Sequence, residues 1–280
     1  MSPHASAMKE PARNNFLLYG DIGSGKTTAF RTIPGRKFLY MFDPAGLSSI
    51  KATDDIHYES FMPENISMSV STLKGIKDNQ APKYEVNDVY SKWENDFESR
   101  LQKNWFADPS VEIDGVKGGF DAIGFDSITT LNDLLMDRIL EINQRSGKQP
   151  EISDYGVAAN ALARIIRNAN GQGCFVFFTG HENAAQDKLM KTVKIQLMVA
   201  GQLKQKLPIL FSDIYHCRAD VVAGKVKYFA DTVPTDMYPT ARCSMDLEPT
   251  VELTIPPNAT DVTRFGLGKL LREKKIWTKD

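Results

Sequence analysis

Nine consecutive residues carry the clearest chemistry in the chain: Gly20, Asp21, Ile22, Gly23, Ser24, Gly25, Lys26, Thr27 and Thr28. Gly20, Gly25, Lys26 and Thr27 satisfy the pattern G-x-x-x-x-G-K-[ST], which describes a loop that cradles phosphates. Glycines allow backbone angles and a close approach that side chains would block. The N–H groups of such a loop point inward at an anion, and the helix that follows adds its positive end. Lys26 would place an ammonium at the β- and γ-phosphates, and Thr27 would offer a hydroxyl to Mg²⁺. The ligand that fits is ATP or another nucleoside triphosphate.

A phosphate loop needs a second carboxylate to position the metal, at the end of another buried strand. Asp126 ends the apolar run AIGF and is the candidate, so the expected metal site is Thr27 with Asp126. Asp126 also fits as the cap of the helix that starts after it, and the two roles are compatible. Hydrolysis needs a group that orients water. Asp43 ends the second apolar run and is one candidate, or else a turn residue ahead of Pro44. Glu182, just after the run FVFFTG, is the other. His181 stands at the same strand end, where doubly wound sheets bind ligands. It is either a sensor of the γ-phosphate or a structural histidine.

The elements that must position these groups are legible as alternating apolar runs and helical patterns. NFLLY (15–19), KFLYMFD (37–43), IHYESF (56–61), FDAIGFD (120–126) and CFVFFTG (174–180) read as strands. Helices are expected over 25–33, 86–105, from 128 to 142, and from Ser153-Asp154 to 170. Pro34-Gly35 stops the first and Gly171 the last. The stripe Val86, Tyr90, Trp93, Phe97, Leu101 and Trp105 reads as core packing. Asp114-Gly115 signals a short hairpin. In the last hundred residues, 191–199, 212–222 and 225–233 read as strands, with a short helix near 201–208. A late strand at VELTI and a terminal helix over 265–277 complete the pattern. Strand–helix alternation through residue 180 predicts an α/β fold, a mostly parallel sheet flanked by helices, with antiparallel strands added at its edge by the C-terminal part.

Composition narrows the classes. The chain has 280 residues, enough for one large domain or a domain with an insertion. We read residues 1–13 as a flexible leader, 14–245 as the core with an insertion at 62–118, and 246–280 as a C-terminal extension. No apolar run approaches the roughly 20 residues that span a bilayer, so a membrane partner is not expected. The N-terminal stretch lacks the apolar core of a secretory signal. Three cysteines fit neither a disulfide framework nor a zinc pattern, which points to a reducing, cytoplasmic setting. The formal net charge is −1, so binding of DNA would need a local basic patch.

The stretches LLYGDIGSGKTTAFRTIPGRKFLYMFDPAG, FDAIGFDSITTL, SDYG and FVFFTGHENA resemble, in order and spacing, phage-encoded RecA-like P-loop ATPases. That phage nucleotide-binding family includes relatives of single-strand annealing proteins, and the resemblance covers residues 14–245. It implies a RecA-like core, Mg²⁺-dependent ATP hydrolysis, and work on single-stranded DNA in recombination or replication. The expected setting is the host cytoplasm, with a homo-oligomer and a single-strand-binding or replication protein as the partners the resemblance implies. By the same resemblance Lys26 and Thr27 match the Walker A pair, Asp126 the Walker B aspartate and His181 the sensor position. RecA has a glutamate two residues beyond the aspartate ending its second strand; the matching place here is Ala45, so Asp43 or Glu182 would have to substitute. YPTARCS resembles the late basic motif of the family. Arg242 is then either a residue acting in trans on γ-phosphate charge or a surface arginine. The segment 182–194 matches a DNA-binding loop, with Lys188, Lys191 and Lys194 either contacting phosphates or simply solvated. Two other functions stay open: a nucleotide-gated assembly protein with little hydrolysis, and a P-loop small-molecule kinase.

Overall fold

The computed structural model describes residues 14–50, 55–62, 89–187, 192–199 and 203–279. Its first half is laid out as β1 (Asn15–Gly20), α1 (Lys26–Arg31), β2 (Lys37–Met41), β3 (Ile56–Ser60), α2 (Val89–Gln102), β4 (Glu112–Ile113), β5 (Val116–Lys117), β6 (Ala122–Asp126) and α3 (Ile128–Ile142). The second half continues with α4 (Ile152–Asn170), β7 (Phe175–Asp187), β8 (Thr192–Leu197), α5 (Leu203–Lys206), β9 (Asp213–Val222), β10 (Lys225–Asp231), β11 (Thr250–Glu252) and α6 (Gly266–Glu273).

Apolar residues on β1 alternate between two cores because successive strand side chains point to opposite faces. Phe16 and Leu18 enter a cluster with Ala29 and Phe30 of α1 and Leu267 and Leu271 of α6. Leu17 and Tyr19 enter the other cluster, with residues of α2, α3 and α4. A strand buried on both faces reads as a continuous apolar run, and this is why β1, β2, β6 and the start of β7 were visible in the sequence. The sheet order is β11-β10-β9-β1-β7-β6-β2-β3, with β8 paired to β7 outside that path. From β9 to β3 all neighbours run parallel. One strand, β7, thus separates the strand before the phosphate loop from the strand that ends in Asp126. This is a RecA-like P-loop arrangement, a mostly parallel sheet with helices on both faces.

Three expectations change. Strand β9 is not an antiparallel addition: it runs parallel to β1, with Phe16 opposite Asp213 and Gly20 opposite Cys217. Only β10 and β11 extend that edge antiparallel. Residues 182–187 are not loop, because β7 continues past Gly180 and pairs antiparallel with β8. Helix α4 is capped two residues before Ser153, earlier than Ser153-Asp154 suggested. Glu151 is its cap and Asp154 closes the capping box. Position 86 of the apolar stripe lies outside the described residues.

Residues 89–118 share the main core. Trp93, Phe97, Trp105 and Phe106 are buried with Phe38 and Tyr40 of β2. Arg100 bridges Asp96 and Glu59 and lies 4.3 Å over the Trp105 ring. After residue 245, Gly268 packs so tightly that an added Cβ would lie 2.0 Å from the Thr32 carbonyl oxygen.

Helix α3 begins two residues after Asp126, and its cap, the residue between them, bears on the site. Ser127 is the N-cap and accepts from the Thr130 amide at 3.3 Å. Ser127→Ala is expected to cost about 0.5–2 kcal/mol of stability, read as a shift in the denaturant midpoint at unchanged slope.

Candidate active site at the phosphate loop

The loop between β1 and α1 is built around two glycines that nothing else could replace. Gly25 has φ +87, in the left-handed region, and caps α1. Gly20 has no such angle, but a Cβ there would lie 2.1 Å from the Cys217 carbonyl oxygen of the neighbouring strand. The first glycine is needed for conformation and the second for approach.

Lys26 is only 7 % exposed. Its Nζ donates to the Gly20 carbonyl at 2.9 Å, the Asp21 carbonyl at 2.7 Å and Ser24 Oγ at 3.3 Å. Burial lowers its pKa, against the pull of Cys217, Asp126 and other acidic groups nearby. Thr27 Oγ1 donates to Asp126 Oδ2 at 2.7 Å. Thr179 donates to the other oxygen of Asp126. Asp126 is 4 % exposed; burial pushes its pKa up, while the two threonine hydroxyls favour the ionised form.

Asp43 follows β2, and its Oδ2 lies 3.1 Å from His181 Nε2. Thr130 donates to its other oxygen. Burial opposes ionisation of Asp43, but the hydrogen bonds from His181, Thr130 and Ser127 prevail and hold its pKa below the usual carboxylate range. The His181 amide donates to Thr129 Oγ1 at 3.0 Å, while its Nδ1 is buried without a partner among the described residues. Lys26, Thr27, Thr28, Asp43, Asp126, His181, Ile22 and Gly23 to Gly25 line one cleft of about 510 Å³, with Pro44, Gly46, Ser48 and Ser49 on one side and Tyr228 on another. That volume is in the usual range for small-molecule sites.

The fold does not bring Glu182 into this cleft. His181 and Glu182 are successive strand residues, so their side chains leave the sheet on opposite faces. Glu182 Oε2 instead lies 2.7 Å from His216 Nε2. His216 Nδ1 is 3.3 Å from Asp231, which also accepts from Arg218 Nε at 3.1 Å. The Tyr238 ring stacks on His216 with centroids 3.8 Å apart. Glu182, His216, Arg218 and Tyr238 border a second cleft of about 340 Å³ on the far side of the loop, reached by Asp21, Ile22 and Ser24. Asp21 turns its carboxylate onto the Ile22 amide at 2.7 Å.

Arg242 is also outside the phosphate cleft. It bridges to Ile214 and donates to the Pro208 carbonyl at 2.9 Å. Ile214 stands opposite Leu17, three residues before Gly20 on β1, so Arg242 sits below the loop end of its own chain. Ala45 lies in the 3₁₀ turn Pro44–Ser49 and brings no titratable group. Lys194 is on β8 opposite Ala185. Lys188 and Lys191 lie outside the described residues.

Thr179, Thr130 and Tyr228 were not anticipated. Thr179 had a signal: it precedes His181 by two, so both leave β7 on one face. Thr130 and Tyr228 had none, because their places depend on α3 and β10 docking against the site.

The residues present fit a divalent metal by their chemistry. A hydroxyl and a carboxylate, both hard oxygen donors, converge beside the cradle, and oxygen donors of this kind suit Mg²⁺.

Asp231 gives a test of the second network. Burial alone would raise its pKa, but His216, Thr250 and Arg218 bring it down to about 2. A depressed carboxylate stabilises the fold above its unfolded pKa and loses that effect as pH falls through the folded value. Asp231→Asn should therefore destabilise the protein at neutral pH. The gap in melting temperature to wild type should close between about pH 4 and pH 2.

Glycine loop, buried Asp126 and strand order together define a RecA-like P-loop core, the architecture of nucleoside triphosphatases. A family model described as an AAA domain, an ATPase-type domain, matches residues 12–242, and the chain belongs to that family. No curated protein matches the chain. Among solved structures it is similar to the flagellar accessory protein FlaH from Methanocaldococcus jannaschii, at 10% identity and a TM-score of 0.37. The match covers 89% of this chain and 88% of that one. Among the described residues no helix is long and apolar enough to cross a membrane.

Proposed function

We propose that the protein is a Mg²⁺-dependent ATPase of RecA type that acts as a homo-oligomer on single-stranded DNA in phage recombination or replication. The observation that carries the ATPase part is the convergence of Thr27 and Asp126, 2.7 Å apart, beside Lys26 in the loop. Thr27 and Asp126 would hold Mg²⁺, which supplies neutralisation of the β- and γ-phosphate charge when bound. Lys26 exchanges the carbonyls of Gly20 and Asp21 for phosphate oxygens. Asp43, kept ionised, orients the attacking water and accepts its proton. His181 fixes Asp43 through Nε2, which makes it a positioning residue with a second role as γ-phosphate sensor.

The DNA part is supported by the motif resemblance and by the place of the β7–β8 hairpin. This hairpin pairs from Glu182, next to the end of β1, and carries Lys194; Lys188 and Lys191 follow β7 in the sequence. Lysines there would contact phosphates without reading sequence. Phosphate release is expected to rise several-fold with single-stranded DNA at low salt and to lose that stimulation as salt rises. Absence of stimulation across several DNA lengths would remove the DNA part and leave the ATPase part standing.

A second reading is favoured by one observation. At Ala45, where the resemblance places the water-activating glutamate, the chain carries no carboxylate. A nucleotide-gated assembly protein would enlarge its oligomer with ATP while turnover stayed at background.

A further inference from the structure

The phosphate cleft has two ends, and Lys26, Thr27, Asp126, Asp43 and His181 account for one. Strands β6 and β2 lie to one side of β1, and β10 lies to the other. Asp126 ends β6 and Asp43 follows β2, so they mark where the terminal phosphate and its water belong. A triphosphate cradled by the loop must then carry its nucleoside the other way, past Thr28 and toward β10. Tyr228 of β10 bounds the cleft there.

Its ring packs on the loop itself. A Cβ added to Gly25 would lie 2.8 Å from Tyr228 Cδ1 and 3.1 Å from Cγ. The backbone beneath the ring is held on both sides. Tyr228 N donates to Thr254 Oγ1 at 3.0 Å, and its carbonyl accepts from the Leu253 amide at 2.8 Å. The side chain is nonetheless only half-buried. Ile22, 80 % exposed, lines the same cleft as a second apolar surface a guest would cover.

We infer that Tyr228 is the nucleobase platform of this site, the residue on which the base of the bound nucleoside triphosphate stacks. The assignment rests on the reading that the cleft binds a nucleoside triphosphate. A π-face held at one edge of the cradle gives affinity for a base through stacking, and leaves phosphate binding to the loop.

Two ligands separate these parts: ATP and inorganic tripolyphosphate, each titrated with Mg²⁺ into the full chain. Tyr228→Ala is expected to weaken ATP about tenfold, as loss of one stacking contact does. It should leave tripolyphosphate within about twofold of wild type. Tyr228→Phe should rescue ATP affinity, and Lys26→Ala should lose both ligands. An unchanged ATP affinity in Tyr228→Ala, or an equal loss for ATP and tripolyphosphate, overturns the assignment. Wild-type protein that binds tripolyphosphate and ATP equally also overturns it. Wild-type protein that binds neither overturns the nucleotide reading and the platform with it. If Tyr228→Ala does not fold, Tyr228→Trp gives the answer by fluorescence. Quenching by ATP and not by tripolyphosphate supports the platform, and equal quenching or none contradicts it.

Discussion

Lys26→Ala lowers ATP turnover by about 10²–10³-fold, the size of effect seen when one preorganised donor to transition-state charge is removed. Lys26 is the one lysine lining the phosphate cleft among the described residues. Its ammonium bonds to three loop oxygens, which fix its position within the loop. The favourable term is then electrostatic, at a site where burial excludes water and strengthens the interaction. The same substitution frees the Gly20 and Asp21 carbonyls, so some loss of stability accompanies it. Calorimetric binding of ATP alongside phosphate release separates the two. A cooperative melting transition at a modestly lower temperature, with lost binding and turnover, is the expected result.

Asp43→Asn lowers turnover by about 10²–10⁴-fold, the usual contribution of a positioned general base. Glu182→Gln changes it by less than about threefold. The contrast comes from strand geometry. Asp43 enters the phosphate cleft and is held ionised by His181 and Thr130. Glu182 faces the opposite side of the sheet and is bound to His216. Asparagine keeps the size and one acceptor oxygen of Asp43, so KM for ATP should move little while kcat falls. That split is what distinguishes a group acting in the transition state from one that binds substrate.

The phosphate loop and the strands around it were legible because their signals are local. A buried parallel strand is a short apolar run, and the loop pattern is eight residues long. Asp126 and His181 were also legible, since each directly follows such a run. Partners across the sheet were not. Thr27 meets Asp126 only because β6 sits two places from β1, with β7 between them. The direction of Glu182 needed the register of β7, which sets His181 opposite Gly20 and so aims the next side chain at β9. A one-residue slip would have exchanged the roles of His181 and Glu182. Strand β9 looked like part of an antiparallel meander because β10 follows it through a tight turn. Its parallel pairing with β1 joins residues about two hundred positions apart, and no local pattern reports that.

The proposed ATP hydrolysis places the phosphate cleft at the centre of the chemistry, with Asp43 as the group that takes the proton from water. Phosphate release at saturating ATP and Mg²⁺, measured together for wild type, Asp43→Asn and Glu182→Gln, tests it directly. Steady turnover in wild type and Glu182→Gln, with at least about a hundredfold loss in Asp43→Asn, is the predicted result. Turnover that survives in Asp43→Asn and collapses in Glu182→Gln would contradict it.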